Sequence, residues 1–287
     1  MSKHGNPKLL TEKPVNIDTI KRYLAEQSDF AFEMEILQIV KMRCAGQTSW
    51  GGIYYDHNTG KQREYDIRSE IPVNPYKLDS WIELAIECKN IRSYYPLVIS
   101  CTKRTLSEQK NDLWRWPMLQ KGSKEEPIIN FGISYERHTL FLDYNDEFVG
   151  RALDQVGEDS KGELVFGDEE IFNKWTQALN STYGMLHDAL SVRQPGEKIN
   201  LVFLPIVVVP DNTLWQVKYD ENGECISLPQ SVSQLSYRIG QEFEIKSSRA
   251  SGKYKIHELY FFTKTGLINF LENQTRHARF FDLSQLP

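Results

Sequence analysis

The sequence predicts a mixed α/β fold, and three patterns carry that expectation. Apolar residues recur at three- and four-residue spacing over about residues 16–27, 29–43 and 169–192, the period of helices packed along one side. Short runs rich in β-branched and aromatic residues, bounded by turn residues, read as strands. The run Leu201 to Val209 is apolar throughout, the pattern of a strand buried on both faces.

In chain order, residues 1–15 read as a loose tail. The first helix, Asn16 to Gln27, places Ile17, Ile20 and Leu24 on one side. Ser28 or Asp29 can cap a second helix running to about Arg43, with Phe30, Met34, Leu37 and Val40 on its inner arc. Trp50 to Tyr55 and Arg63 to Ile71 read as a hairpin around the turn Asp56-His57-Asn58-Thr59-Gly60. A Pro-bearing connection, Pro72 to Leu78, leads to a strand at Trp81 to Lys89, and Leu97 to Thr102 is another. Residues 105–127 read as an insertion, and Phe131 to Tyr144 as one or two strands. Residues 154–168 read as loop. Asp168 can cap a long helix to about Val192, with Ile171, Trp175, Leu179 and Leu186 inward. Strands follow at Leu201–Val209, Leu214–Tyr219 and His257–Thr263, and a short helical stretch at Ile268–Gln274.

At 287 residues the chain has room for one or two domains of ~150 residues. With no internal repeat and no low-complexity linker, one elaborated domain over 1–287 is expected, with any seam near 145–168. Hydrophobic content of 40% and charged content of 25% exclude a disordered or collagen-like chain. No apolar run approaches the ~20 residues that span a bilayer, so no membrane partner is expected. The polar N-terminus lacks the apolar core of a secretory signal, and the four cysteines include no CxxC pair. Together these predict a reducing, cytoplasmic setting with neither a zinc site nor a disulfide scaffold. The net charge of −5 argues against a protein that coats nucleic acid, but a local basic strip can still guide a phosphate backbone. Lys61, Arg63, Arg68, Lys89, Arg92, Lys103 and Arg104 form the densest candidate strip, diluted by Glu64, Asp66 and Glu70.

The chemistry concentrates at Glu87-Cys88-Lys89, at the end of one strand, and at Asp66 in the strand before it. Alternation along a strand puts Glu87 and Lys89 on one face and turns Cys88 into packing with Ile86 and Leu84. If the two strands are neighbours, Asp66 stands beside Glu87. Two adjacent carboxylates repel unless a cation neutralises them. Mg²⁺ suits hard oxygen ligands and keeps several waters, so Asp66, Glu87 and a backbone carbonyl near Cys88 form a candidate ligand set for Mg²⁺ or Mn²⁺. Lys89 could orient the attacking water or balance charge on a phosphate. The bland reading is an ordinary cross-strand ion pair between Glu87 and Lys89 or Arg68.

The stretch 28–104 resembles the PD-(D/E)xK nuclease superfamily, the restriction-endonuclease-like and Mrr-like proteins. It reads FAFEMEI on a helix, YYDHNTGKQREYDIR across a hairpin, then IELAIECKN. In that resemblance Glu33, or alternatively Glu35, is the helix glutamate, Asp66 the metal-binding aspartate, and Glu87 and Lys89 the ExK pair. The resemblance implies a mixed β-sheet flanked by helices, Mg²⁺-dependent phosphodiester cleavage and usually DNA as substrate, with Glu33, Asp66, Glu87 and Lys89 catalytic. Tyr65 rather than proline precedes Asp66, and the elaborated C-terminal half carries no matching motif. Cutting both strands of a duplex usually takes two active sites, which makes a homodimer an arrangement to test.

Two other classes remain beside the nuclease. One is a nucleic-acid-binding or scaffold protein that keeps the nuclease fold without turnover. The other is an acid/base enzyme using Asp66 and Glu87 as glycosidases use paired carboxylates, which a neighbouring lysine disfavours because it holds both ionised. His4, His57, His138, His187, His257 and His277 show no HxH or HExxH spacing, and no Walker-type or GxGxxG stretch is present. Trp114 and Trp116 could stack on bases or pack a loop.

Overall fold

The apolar run expected to be buried on both faces is the axis of the structure. A computed structural model of the chain describes residues 14–26, 28–57, 59–72, 80–105, 108, 110–116, 130–136, 147–192, 199–246 and 251–277. In it, β11 (Ile199–Val209) runs between β5 (Ser80–Cys88) and β15 (Ser251–Thr263), parallel to both. Every side chain from Leu201 to Val209 is buried. Val202, Leu204, Ile206 and Val208 face α2 (Phe30–Arg43) and α4 (Lys264–His277). Leu201 and Phe203 face α3 (Glu169–Val192) on the other side. Helices on both faces explain why this strand carries no polar alternation.

The chain is therefore mixed α/β, with four helices among the described residues and one large mixed sheet. From one edge the sheet runs β1 (Thr48–Trp50), β4 (Ile67–Pro72), β5, β11 and β15. It continues through β14 (Gln234–Lys246), β9 (Phe148–Glu158), β6 (Leu97–Lys103), β12 (Leu214–Tyr219) and β13 (Gln230–Ser231). β10 (Leu164–Gly167) flanks β9, and β7 (Lys110–Trp116) joins β11 to β8 (Asn130–Glu136). No helix of the described residues is long and apolar enough to cross a membrane.

Several elements differ from expectation, each for a physical reason. The stretch 154–168 is not loop: the end of β9 pairs with β10 around a turn in which Asp159 Oδ1 accepts the Lys161 and Glu163 amides. β10 is mostly exposed, so it needs no apolar alternation and leaves no strand signal. β14 leaves no strand signal in the sequence, because Gly240 and a register shift between Arg238 and Gln241 interrupt its period. α1 (Ile17–Glu26) forms, yet its apolar side is exposed, Ile17 at 62% and Leu24 at 55%. On α2 the buried side is Phe32, Ile36, Leu37, Ile39 and Val40, and Phe30 instead lies 6.1 Å from the Trp50 ring. Its sequence, FAFEMEILQIV, is apolar on most sides, so periodicity singles out no one arc. The readings of the tail over 1–13, the Pro-bearing link over 73–79, and residues 117–129 and 137–146 lie outside the described residues.

The predicted hairpin forms in two halves. β1 pairs with β4 inside the main sheet, whereas β2 (Ile53–Asp56) and β3 (Lys61–Glu64) make a separate two-stranded sheet. The break falls at Gly51-Gly52 on one strand and Tyr65-Asp66 on the other. Gly51 takes φ +61°, and a Cβ on Gly52 would collide with the Tyr65 ring, so glycine is required at both. Gly51 N–H donates to Asp66 O (3.0 Å) and Tyr65 N–H to Gly52 O (3.0 Å), carrying the pairing through the bend. Beyond it the outer half lies on α3. Asp56 is buried and accepts from Asn180 Nδ2 at 3.3 Å, and the His57 ring stacks on His187 with centroids 3.8 Å apart.

Burial, and then the neighbouring His57, lower the His187 pKa from the ordinary 6.5 to about 4. The unfolded chain therefore takes up this proton first, so the contribution is intact above pH 6.5 and is lost as pH falls toward 4. His187→Phe keeps the ring and removes the titration. Melting curves between pH 4 and 8 should show the wild type losing ground to this variant only on the acid side. A difference independent of pH would contradict the assignment.

Candidate active site

β4 and β5 are antiparallel neighbours with Ile67 opposite Ile86, which brings Asp66, at the bend just before β4, against Glu87. Asp66 N–H points to Glu87 Oε1 at 3.4 Å, and Cys88 N–H donates to Asp66 Oδ2 at 2.8 Å. Alternation sends Cys88 into the α2/α4 side of the core with Ile86 and Leu84, and turns Glu87 toward α3. The Glu87 side chain is fully buried and that of Asp66 is 14% exposed.

The cation that meets them comes from α3. Lys174 Nζ lies 2.9 Å from Asp66 Oδ2 and 3.4 Å from Glu87 Oε2. Burial works against the Lys174 charge, but the charges of Asp66 and Glu87 outweigh it and hold its pKa above the ordinary lysine value. Burial first, and Asp66 second, push the Glu87 carboxyl well above the usual carboxylate range, with Lys174 opposing them. The same pattern raises Glu33, in the first turn of α2, to about 7, again through burial and then Asp66. Asp66 and Glu87 thus share one ammonium, and Glu33 is raised by burial and by the Asp66 charge.

The two helix glutamates separate cleanly. Glu35 is half-exposed and ion-paired to Lys264 of α4 at 2.9 Å, so Glu33 is the carboxylate that senses the pair. Lys89 lies one residue past the end of β5, where strand alternation no longer fixes its direction. Its Nζ is 3.3 Å from Asp29 Oδ2. Asp29, at the start of α2, spends its side chain on Lys89 and on the Asn90 amide (2.9 Å) rather than on capping its own helix. The ammonium between Asp66 and Glu87 is therefore Lys174, where the ExK spacing pointed to Lys89. Sequence reasoning missed Lys174, although a signal existed. Ile171, Lys174 and Ala178 share one helical arc, Ile171 and Ala178 are buried, and a charge on a buried arc needs a partner.

The basic strip disperses. Arg68 is bound to Ser181 and Asp188, Lys103 to Glu147 and Arg104 to the buried Glu258. Lys61 and Arg63 lie on the exposed β3, Arg63 3.4 Å from Asp56. Toward the other end of β5 a cavity of about 500 Å³ opens between β1, β4 and α3, lined in part by Gln47, Ser49, Arg68, Glu83 and Asp188. Trp114 and Trp116 lie on β7, and their side chains are outside the described set. Comparison with protein-family models, with curated proteins and with solved structures gives no match.

A metal ion can be tested against the donors present. Asp66, at the bend before β4, and Glu87 of β5 offer hard carboxylate oxygens side by side, the chemistry Mg²⁺ or Mn²⁺ takes. Among the described residues no three His, Cys, Asp or Glu side chains gather into a ready-made cage. The donor set fits an ion that keeps most of its waters and takes few protein ligands, which is the habit of Mg²⁺.

Lys174→Met keeps the apolar stem and leaves two buried acids without their cation. Removing one partner of such a group costs about 3–5 kcal/mol, so chemical denaturation at neutral pH should show a loss of that size. A loss below about 1 kcal/mol would mean that solvent, not Lys174, neutralises the pair.

Proposed function

We propose that this chain is a restriction-endonuclease-like, metal-dependent phosphodiesterase that cuts nucleic acid, with DNA the expected substrate. The observation that carries the reading is Asp66, at the bend before β4, set against the buried Glu87 of β5 and bridged to it by Lys174 of α3. The Asp66 and Glu87 carboxylates, with the Cys88 carbonyl, would hold Mg²⁺ or Mn²⁺. The ion would polarise the phosphodiester and lower the pKa of a bound water.

The chain's own residues supply the rest. Glu33, with a pKa near 7, is poised to accept a proton from water at neutral pH. Lys174 stays protonated, so it offers a fixed positive charge to a pentacovalent phosphate and is no acid at neutral pH. That role, expected of Lys89 from the sequence, passes to Lys174. Lys89 and Asn90 tie the start of α2 to the end of β5 through Asp29, away from the acid pair.

One observation favours a second reading. Lys174 already bridges the two acids, as a purely structural triad would, which suits a binding or scaffold protein without turnover. Cleavage assays decide between them, using supercoiled, linear and single-stranded DNA with RNA as control, in Mg²⁺ or Mn²⁺. The wild type should cut, and Asp66→Asn and Glu87→Gln should each lower the rate by ~10²-fold or more. Lys89→Met should stay within about threefold of wild type, because its charge faces Asp29; a fall of ~10²-fold would return the role to Lys89. A folded wild type that cuts none of these substrates would favour the scaffold reading.

A further inference from the structure

Two aromatic rings stand open to solvent beside the acid pair. Trp50, the last residue of β1, is 42% exposed, and Phe30, the first residue of α2, is 57% exposed. Their ring centroids lie 6.1 Å apart with the planes at 55°, so the rings meet as a corner rather than a stack. A single exposed apolar residue is ordinary, whereas two large rings held together in water make a small surface that a ligand can cover.

Hydrogen bonds set both rings next to the acids. Trp50 is followed by Gly51, whose N–H donates to Asp66 O at 3.0 Å. It stands directly across from Ile67, the residue after Asp66. Phe30 follows Asp29, whose carboxylate accepts the Asn90 amide at 2.9 Å and lies 3.3 Å from Lys89 Nζ, just past Glu87. Asp66 in turn accepts the Cys88 amide at 2.8 Å. Each ring is thus one residue from a contact with the chain that carries the pair. Ile67 packs under α2, and cross-strand partners share a face, so the Trp50 ring rises on the α2 side, where Phe30 meets it. Gly51 puts no side chain beside Asp66, and a Cβ there would meet nothing within 4 Å among the described residues, so that space is open.

A phosphodiester held at Asp66 and Glu87 brings its own sugar and base with it, within one nucleotide of the pair. In a duplex, stacking covers the faces of that base and only its edges show. An unpaired base offers a face, and aromatic rings bind that face with little regard to sequence.

We propose that Trp50, with Phe30 at its edge, is the base-stacking platform of this site and selects DNA with an unpaired nucleotide beside the scissile phosphate. The inference rests on the nuclease reading for the position of the phosphate and adds the substrate class: single strands and single-stranded overhangs over blunt duplex. Fluorescence anisotropy of the full chain tests it in Ca²⁺, a cation that also takes oxygen ligands. The probes are a labelled single strand of about 12 nucleotides and the same sequence as a blunt duplex. The wild type should bind the single strand ~10-fold or more tighter than the duplex. Trp50→Ala should weaken single-strand binding about 5- to 100-fold, the loss of one stacked base, with the melting temperature unmoved because the ring is exposed. Trp50→Leu keeps apolar area without a π face and should lose nearly as much, whereas Trp50→Tyr should keep most of the affinity. Equal binding by Trp50→Ala and wild type, or a wild type with no preference for the single strand, would overturn the proposal. Full binding by Trp50→Leu, or a dimer that Trp50→Ala dissolves, would overturn it too, marking the corner as a protein contact. Cleavage separates the two readings. If the wild type cuts and Trp50→Ala cuts single strands with unchanged KM, this inference falls alone. If Trp50 governs single-strand binding but the wild type cuts nothing, the nuclease reading falls and the platform stands in a binding protein.

Discussion

Two acids placed side by side in a protein interior repel each other and lose their hydration, and the fold around them must answer both costs. Here the answer is the Lys174 ammonium, within hydrogen-bond reach of Asp66 and 3.4 Å from Glu87. Much of the surrounding architecture follows from that constraint. β4 must pair with β5 to bring the acids together, and α3 must lie close enough to deliver a lysine. The glycines sit where this closeness is set: Gly51 and Gly52 bend the hairpin at Asp66, and Gly184 lets α3 approach Tyr54 and Arg68. A side chain at Gly52 or Gly184 would crowd Tyr65, or Tyr54 and Arg68, and one at Gly51 would be strained by its positive φ.

The same arrangement gives the site its electrostatic character. Burial first, and the charge of Asp66 second, make Glu87 hold a proton more tightly than an ordinary glutamate and raise Glu33 to about 7, more than Lys174 offsets. A divalent cation would relieve the excess, and a flexible lysine stem can yield its place to one. A structural triad and a metal-activated hydrolytic site would look alike in this state. They differ in whether Lys174 gives way.

What was legible in the sequence followed from local rules. The buried strand at Leu201–Val209, the helix beginning just after Asp168 and the adjacency of Asp66 to Glu87 all come from period and strand pairing. The rest depended on tertiary placement. Lys174 is 87 residues from Glu87, and no spacing rule links them; only its place on a buried arc marked it. Lys89 looked equivalent to a site lysine because alternation was extended one residue past the strand, where Asp29 decides its direction instead. The basic strip was real as composition, but most of its members are turned to carboxylates on other elements. β10 and β14 escaped notice because an exposed ribbon and a bulged strand lack the alternation that reveals strands.

The central claim is that the Asp66–Glu87 pair exchanges its lysine for a divalent cation. Anomalous diffraction from crystals of the full chain soaked in Mn²⁺ tests it most directly. The account predicts a manganese peak shared by oxygens of Asp66 and Glu87, with Lys174 Nζ withdrawn from the pair. Saturating Mn²⁺ with no peak there, and Lys174 still bridging both carboxylates, would contradict it.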